Sequence, residues 1–364
     1  MDPVLCQYSH VCSGCDAILS SYETQKNQKI ATLRNLLTSH TLPEIQFQSF
    51  GTHGLRSRLD FVFDNHNFGL YSHITRKIED LPICLQLSDS LQLALNQFRN
   101  LKPPISKGSF RIRVSPQEEI GFWLDFSNEN IKDLLQSRDY LLALQEIGHV
   151  EMGQRHKALY QKPSGELGIG QPQFHHWSET VFEHKKIPLL STVASFTQPS
   201  HISNAWITEK IENWCETLKP QNILEFGSGI GNLTFPALAY KNSKLTALEF
   251  DGLSFQALTK NVESLGLGQR IDLRRGDYRK STDLKLSDYD LLLLNPARNG
   301  VGELLKSDVT SDSIIYMSCY PETLALDTQH LNNLGYSLQE LIIVDQFPQT
   351  THMEVLSLFT LCKS

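Results

Sequence analysis

Apolar and polar positions fall into two rhythms along the chain. From about residue 45 to 125 they alternate in short runs, such as Arg58-Leu-Asp-Phe-Val-Phe63 and Ser109-Phe-Arg-Ile-Arg-Val114, broken by Gly, Asn and Pro clusters. Period-two alternation predicts strands with one buried face. Beyond residue 220 the apolar runs are unbroken, as in Leu291-Leu-Leu-Leu294 and Ser313-Ile-Ile-Tyr-Met-Ser318. Runs of that kind predict strands buried on both faces, as in a parallel sheet. Candidate strands are 222–226, 245–250, 270–274, 289–294, 313–318, 339–344 and 355–361, with helices expected after the first five. This alternation reads as a doubly wound α/β domain. Only Asp345 to Glu354 separates the last two strands, too little for a helical crossover, so they should pair antiparallel. Near-helical spacing of Ile18, Tyr22, Ile30, Leu33 and Leu37 predicts a helix over 16–38, and similar patterns predict helices at 128–150 and 202–218. The main boundary is expected just before the last of these, giving a strand-rich α+β domain over 1–195 and the α/β domain over 196–364.

Composition narrows this little. A chain of 364 residues has room for two or three domains, and 40% hydrophobic with 20% charged residues is ordinary for a globular protein. The start, Met-Asp-Pro-Val-Leu, lacks the basic-then-apolar pattern of a secretory signal. No apolar run approaches the roughly 18 residues of a membrane helix. A cytoplasmic monomer without a membrane partner is expected. The net charge of −7 is unevenly spread: residues 1–115 hold 12 Lys and Arg against 9 Asp and Glu, the remainder 21 against 31. A mildly basic front on an acidic body is compatible with an RNA-facing first domain. Arg56, Arg58, Arg111 and Arg113 are its candidate phosphate contacts.

The seven cysteines are also uneven. Cys6, Cys12 and Cys15 form Cys-x5-Cys-x2-Cys, and Cys84 is the remaining one in the first quarter. Thiolates at this spacing are ligands for zinc or an iron–sulfur cluster, and ligand type alone does not separate the two. In the α/β domain the first expected turn reads Glu225-Phe-Gly227-Ser-Gly229-Ile-Gly231-Asn232. A dinucleotide fingerprint would need glycine at 232. Glu225, two residues before the first glycine, suits an ammonium better than a pyrophosphate. Glu249 ends the second strand, where it can accept from ribose hydroxyls, and Asp277 follows the third, where it can accept from an adenine amino group. The register of Glu225, Gly227, Gly229, Gly231, Asn232, Glu249 and Asp277 favours S-adenosylmethionine over NAD. Asn295, in Asn295-Pro-Ala-Arg298, ends the fourth strand and suits contact with a base.

Cys319 follows the fifth strand, at the sheet edge where open α/β proteins bind ligands. If the last strand inserts between the fifth and sixth, antiparallel to both, Glu354 at its start comes beside Cys319. A thiolate and a carboxylate so placed are what methylation at carbon 5 of a pyrimidine needs. The thiolate adds at carbon 6 to make carbon 5 nucleophilic, and the carboxylate removes the carbon 5 proton afterwards.

These motifs resemble the RNA 5-methyluridine (uracil-C5) methyltransferase family over nearly the whole chain. The likeness rests on the cysteine spacing, Phe196-Thr-Gln198, Asn295-Pro-Ala-Arg298, Ser318-Cys-Tyr-Pro321 and Phe347-Pro-Gln-Thr-Thr-His-Met-Glu-Val355. It implies a class I S-adenosylmethionine-dependent methyltransferase fold, with Rossmann-like topology and an antiparallel last strand. Cys319 is then the nucleophile, Glu354 the base and Gln198 a cofactor contact, while Cys6, Cys12, Cys15 and Cys84 hold a [4Fe–4S] cluster. Tyr320, Ala297 and Ser200 depart from the family pattern, which has asparagine, proline and asparagine there. Cluster cysteines without an extra amino-terminal RNA-binding barrel are similar to the shorter 23S ribosomal RNA enzymes, so rRNA is favoured over tRNA. A methyltransferase-like RNA-binding protein without catalysis, and an iron–sulfur redox protein on a Rossmann domain, are the competing expectations.

Overall fold

The computed structural model describes residues 6–362 apart from 38–41, 66, 127–130, 154–156, 278–283, 303–304 and 306–308, with the backbone alone for 131–133. The first half of the chain runs α1 (Tyr22–Leu36), β1 (Ile45–Ser49), β2 (Arg58–Asp64), β3 (Asn67–Tyr71), β4 (Ile78–Asp80), α2 (Asp89–Asn100), β5 (Lys107–Val114) and β6 (Ile120–Asp125). It continues with α3 (Ile131–Gln136), α4 (Arg138–Ile147), β7 (His149–Met152), β8 (Lys157–Gln161), β9 (Leu167–Gly170), β10 (His175–Phe182) and β11 (Lys185–Ser191). Strands β2 to β9 make an eight-stranded sheet in the order β4-β3-β2-β5-β6-β7-β8-β9, antiparallel except where β6 meets β7, and β10 and β11 form a separate hairpin. Alternate residues of β2 and β5, among them Phe61, Phe63, Phe110 and Ile112, bury one face of the sheet beneath α2. The helix expected over 128–150 is two helices with Ser137 between them; residues 128–130 of that expectation lie outside the described set.

The second half runs α5 (His201–Leu218), β12 (Asn222–Phe226), α6 (Thr234–Ala237), β13 (Lys244–Glu249), α7 (Gly252–Ser264), β14 (Ile271–Arg275), β15 (Leu291–Leu294), β16 (Ser313–Ser318), α8 (Pro321–Asn333), β17 (Tyr336–Asp345) and β18 (Glu354–Leu361). Its sheet has the order β1-β17-β18-β16-β15-β12-β13-β14. Strands β12 to β16 are parallel, and β18 lies between β16 and β17, antiparallel to both. Leu291–Leu294 and Ile314–Tyr316 are completely buried because apolar clusters cover both faces of the sheet. Among the described residues of this half, only β13 and β16 are followed by helices of more than two turns. A single-turn helix follows β12, and a 3₁₀ turn at Leu286–Asp288 precedes β15. Between β15 and β16 the described residues hold no α-helix, because Pro296, Gly300 and Gly302, the glycines with φ of 70° and 60°, interrupt one.

One sheet assignment needs correcting. Strand β1 comes from the first half of the chain, yet it pairs in parallel with β17 from Ile45–Leu341 to Ser49–Asp345. Its neighbour α1 packs on β1 and α8. Residues 1–195 are therefore not one unit: the chain contributes an edge strand to the second sheet before it builds the first. No helix among the described residues is long and apolar enough to cross a membrane.

Candidate active site

A cavity of about 550 Å³ opens at the carboxyl ends of β12, β13, β15 and β16. Gly227, Gly229, Glu249, Asn295, Cys319 and Glu354 line it, with Gln198 on the segment leading into α5. Phe196, Asp251 and Arg298 line it too; in the sequence Phe196 and Arg298 are only motif neighbours, and Asp251 has no signal beyond standing two residues past Glu249. The turn after β12 is shaped by two glycines. A Cβ on Gly227 would stand 2.8 Å from the Asn295 carbonyl oxygen, whereas Gly229 (φ 59°) faces open space, leaving its backbone bare to a ligand. The Gly229 N–H donates to Glu249 (2.7 Å), as does the Asp251 N–H (2.6 Å), so both Glu249 oxygens are fixed at the cavity edge.

Four expected cofactor contacts stand elsewhere. Glu225 is completely buried behind the turn, where it accepts from the Thr234 hydroxyl (2.6 Å). Burial pushes its pKa up to about 8, so a neutral acid stands where a counter-ion for an ammonium was expected. Asn232 exchanges amide hydrogen bonds with Asn204 of α5 (2.7 and 3.1 Å), which ties the turn to that helix. Gly231 leaves room for packing: a Cβ there would stand 2.6 Å from Phe235. Asp277 is half-buried beyond β14 and is not among the residues lining the cavity. Distance from a strand end, the signal the acids carry in sequence, does not say through which face a side chain leaves the strand.

The register of β18 brings the other half of the site together. Val355 lies opposite Ser318, and Glu354 opposite Val344, so the chain enters β18 beside Cys319 as it leaves β16. Burial pushes the Cys319 thiol up, the Glu354 charge adds to this, and the Arg298 guanidinium within hydrogen-bonding reach opposes it. Glu354 is buried, its pKa is pushed up to about 8, and it accepts a hydrogen bond from Gln346 (3.2 Å). Tyr320 is the N-cap residue of α8 and does not line the cavity; its N–H donates to Ser318 Oγ (3.1 Å). The departure at 320 thus falls on the helix start and not on the cavity wall.

A family model described as tRNA (uracil-5-)-methyltransferase matches residues 179–361. An uncharacterized RNA methyltransferase of Bdellovibrio bacteriovorus is 41% identical over 98% of this chain and 95% of its own length. The chain belongs to the RNA (uracil-5-)-methyltransferase family. It is an S-adenosylmethionine-dependent enzyme acting on RNA uracil. A 23S rRNA (uracil-C5)-methyltransferase of Vibrio campbellii is 25% identical over 97% of the chain and 81% of its own length. The structure of Pyrococcus abyssi tRNA (uracil-54, C5)-methyltransferase in complex with S-adenosyl-L-homocysteine matches with a TM-score of 0.69 at 17% identity, over 96% of this chain and 86% of that one. That likeness shows the shared class I methyltransferase fold.

Three of the four arginines expected to meet phosphate have another use in this methyltransferase. Arg113, almost wholly buried, donates to the carbonyls of Thr192 (3.2 Å) and Ser195. Arg111 donates to Ala194 O (2.6 Å), and Arg58 to Thr197 O (3.0 Å) while stacking on the Phe196 ring. Glu151, buried on β7, takes the Val193 and Ala194 N–H groups (2.8 and 3.1 Å). One carboxylate and three guanidiniums from the first sheet thus pair with four carbonyls and two N–H groups of 192–197, the segment that walls the cavity and leads to Gln198. Period-two alternation put Arg111 and Arg113 on one strand face; it could not show that this face meets the α/β domain.

Cys6, Cys12, Cys15 and Cys84 are free and half-buried, and they gather near one another: charge on Cys6, Cys12 and Cys84 raises Cys15, although burial is the larger cause. The Gly14 N–H points at Cys12 Sγ (3.4 Å). A Cβ on Gly14 would stand 2.9 Å from Leu70, so this turn cannot carry a side chain without moving its neighbour. The donor set fits a thiolate-bound group in kind. In spacing it does not form a closed ligand shell, because among the described residues no three His, Cys, Asp or Glu side chains converge closely enough to hold a metal ion. The same segment grips the loop ahead of Glu354. Asp16 accepts from the Thr351 N–H (2.8 Å) and hydroxyl (2.6 Å), and the Ala17 N–H donates to Gln349 O (3.0 Å).

Proposed function

We propose that the enzyme methylates carbon 5 of a uridine in 23S ribosomal RNA, with Cys319 as nucleophile and Glu354 as base. The observation that carries this reading is the pairing of β16 with β18, which sets Cys319 and Glu354 on the wall of the cavity that also holds the glycine turn. Cys319 adds as thiolate to carbon 6, forming a carbon–sulfur bond and shifting the electron pair to carbon 5. Carbon 5 would take up the methyl group of S-adenosylmethionine, whose sulfur–methyl bond breaks with the electron pair left on sulfur as S-adenosylhomocysteine departs. Glu354 then removes the carbon 5 proton, the carbon 5–carbon 6 double bond re-forms, and Cys319 leaves as thiolate. Arg298 stabilises the Cys319 thiolate at the start and end of this cycle.

Relatives that match nearly the whole chain are named for both substrates, a 23S rRNA enzyme at 25% identity and a tRNA/tmRNA enzyme of Wolinella succinogenes at 26%, and the reading follows the first. Residues of 1–195 outside α1 and β1 are assigned to RNA binding. The test is to map 5-methyluridine in ribosomal and transfer RNA from a strain lacking the gene. Loss of one 23S site supports the reading; loss only from tRNA replaces it with the tRNA alternative.

Cys6, Cys12, Cys15 and Cys84 would hold a [4Fe–4S] cluster, which would cross-link the segment 6–15 to the loop after β4. Support comes from the four gathered free thiols and the N–H aimed at one of them. Iron and sulfide in anaerobically purified protein, both lost in Cys15→Ser, are the expected result; zinc, or no metal, would sink it.

A further inference from the structure

Gln346 stands one residue past β17, almost completely buried and behind the cavity wall. Its amide is fully engaged. Ser203 Oγ of α5 donates to Oε1 (3.0 Å), while Nε2 donates to Gln198 Oε1 (3.0 Å) and to Glu354 Oε2 (3.2 Å). An amide offers two N–H donors on one side and an acceptor oxygen on the other. The Glu354 carboxylate, an acceptor when ionised, turns Nε2 toward itself, and the Ser203 hydroxyl can then donate to the oxygen on the other side. The backbone beneath it is held as firmly. Asp345 turns the opposite way into a buried pair with Lys29 (2.7 Å) and accepts from Tyr22 (2.6 Å), and Lys29 also donates to Phe347 O (3.0 Å).

We propose that Gln346 is a positioning residue of the reaction: its amide, oriented by Ser203, fixes the Glu354 carboxylate and the Gln198 amide relative to one another. The proposal rests on the reading of Glu354 as base. Among the described residues, Gln346 is the sole hydrogen-bond donor to Glu354. An N–H donor favours the charged form of a carboxylate and opposes the effect of burial. The same donor also holds one oxygen still, leaving the other to reach the proton on carbon 5. Gln198, its own oxygen taken by Gln346, is left with its N–H₂ group for whatever occupies the cavity. The ionisable groups facing Glu354 are Cys319 and, at its side, Arg298; Asp345 and Lys29 are paired with each other across the loop.

Gln346→Met keeps the length and volume of the side chain and removes both donors. Single-turnover and steady-state rates, covalent RNA–protein complex on denaturing gels, and the pH–rate profile should be measured for this variant, for Ser203→Ala and for Glu354→Gln. For Gln346→Met, turnover near pH 7 should fall on the order of tenfold. Its rising pH limb should move about one unit alkaline, and covalent complex should accumulate at an undiminished rate of formation. Ser203→Ala should shift the limb the same way by less. Turnover and complex formation falling together with the pH limb in place would make Gln346 merely structural and overturn the proposal. So would turnover within twofold of wild type. If Glu354→Gln itself fails to trap complex, the reading of the base is lost; if it traps complex and Gln346→Met leaves the profile unmoved, only the present inference fails.

Discussion

Cys319→Ala is expected to reduce methyl transfer to RNA below detection while leaving binding of S-adenosylhomocysteine intact. Carbon 5 of uracil is too weak a nucleophile to take a methyl group unaided, and no other thiol lines the cavity. Without the thiolate the route through a carbon 6 adduct is closed, so the loss is of mechanism and not of a rate factor. Binding should survive because the contacts offered by Gly229, Glu249 and Asp251 lie at the ends of β12 and β13, away from β16. Stability should change little, since the side chain is exposed to the cavity and packs in no core. Transfer of labelled methyl groups to RNA, and calorimetric titration with S-adenosylhomocysteine, check both halves. Residual turnover of a few per cent would remove Cys319 from the mechanism and revive the reading of an RNA-binding protein without this chemistry.

What the sequence made legible was what short-range pattern governs. Leu291–Leu294 and Ser313–Ser318 announced central strands because burial on both faces leaves no polar position. The ten residues from Asp345 to Glu354 announced an antiparallel last strand because a parallel crossover cannot be made so short. The meeting of Cys319 and Glu354 needed one thing more, the insertion of the last strand between the fifth and sixth, which no local pattern states and which the pairing of β16 with β18 supplies. What escaped was what depends on packing between distant segments. Ile45–Ser49 has the same alternation as β2 and β5, so nothing local shows that it joins the other sheet. Arg113 reads as a surface arginine because its partners, the carbonyls of Thr192 and Ser195, have no sequence signature. Gln346 is silent for the same reason: a glutamine after a strand is ordinary until Ser203, Gln198 and Glu354 are seen around it.

Those contacts also frame the second large effect. Glu354→Gln is expected to leave adduct formation and methyl uptake in place and to stall the enzyme as an RNA–protein complex that survives denaturation. The carbon 5 proton must leave before the thiolate can be expelled, and an amide is no base for it. A general base of this kind contributes about 10² to 10⁴ in rate. In the wild type the pKa of Glu354 is pushed up to about 8, so the carboxyl is mostly protonated at neutral pH and turnover should rise with pH through that value. The variant's residual turnover should lack this rise. Stability runs the other way. A carboxyl whose folded pKa lies above its unfolded value of about 4.3 keeps a proton that the unfolded chain has released, so the wild-type fold loses stability as pH climbs from there toward 8. Glutamine, neutral throughout, escapes that loss, and the variant should unfold at no lower temperature than wild type at pH 8. Stalled complex in a fold at least as stable as wild type would assign the defect to the proton and not to the packing around it. Free turnover at the wild-type rate would remove Glu354 from the role.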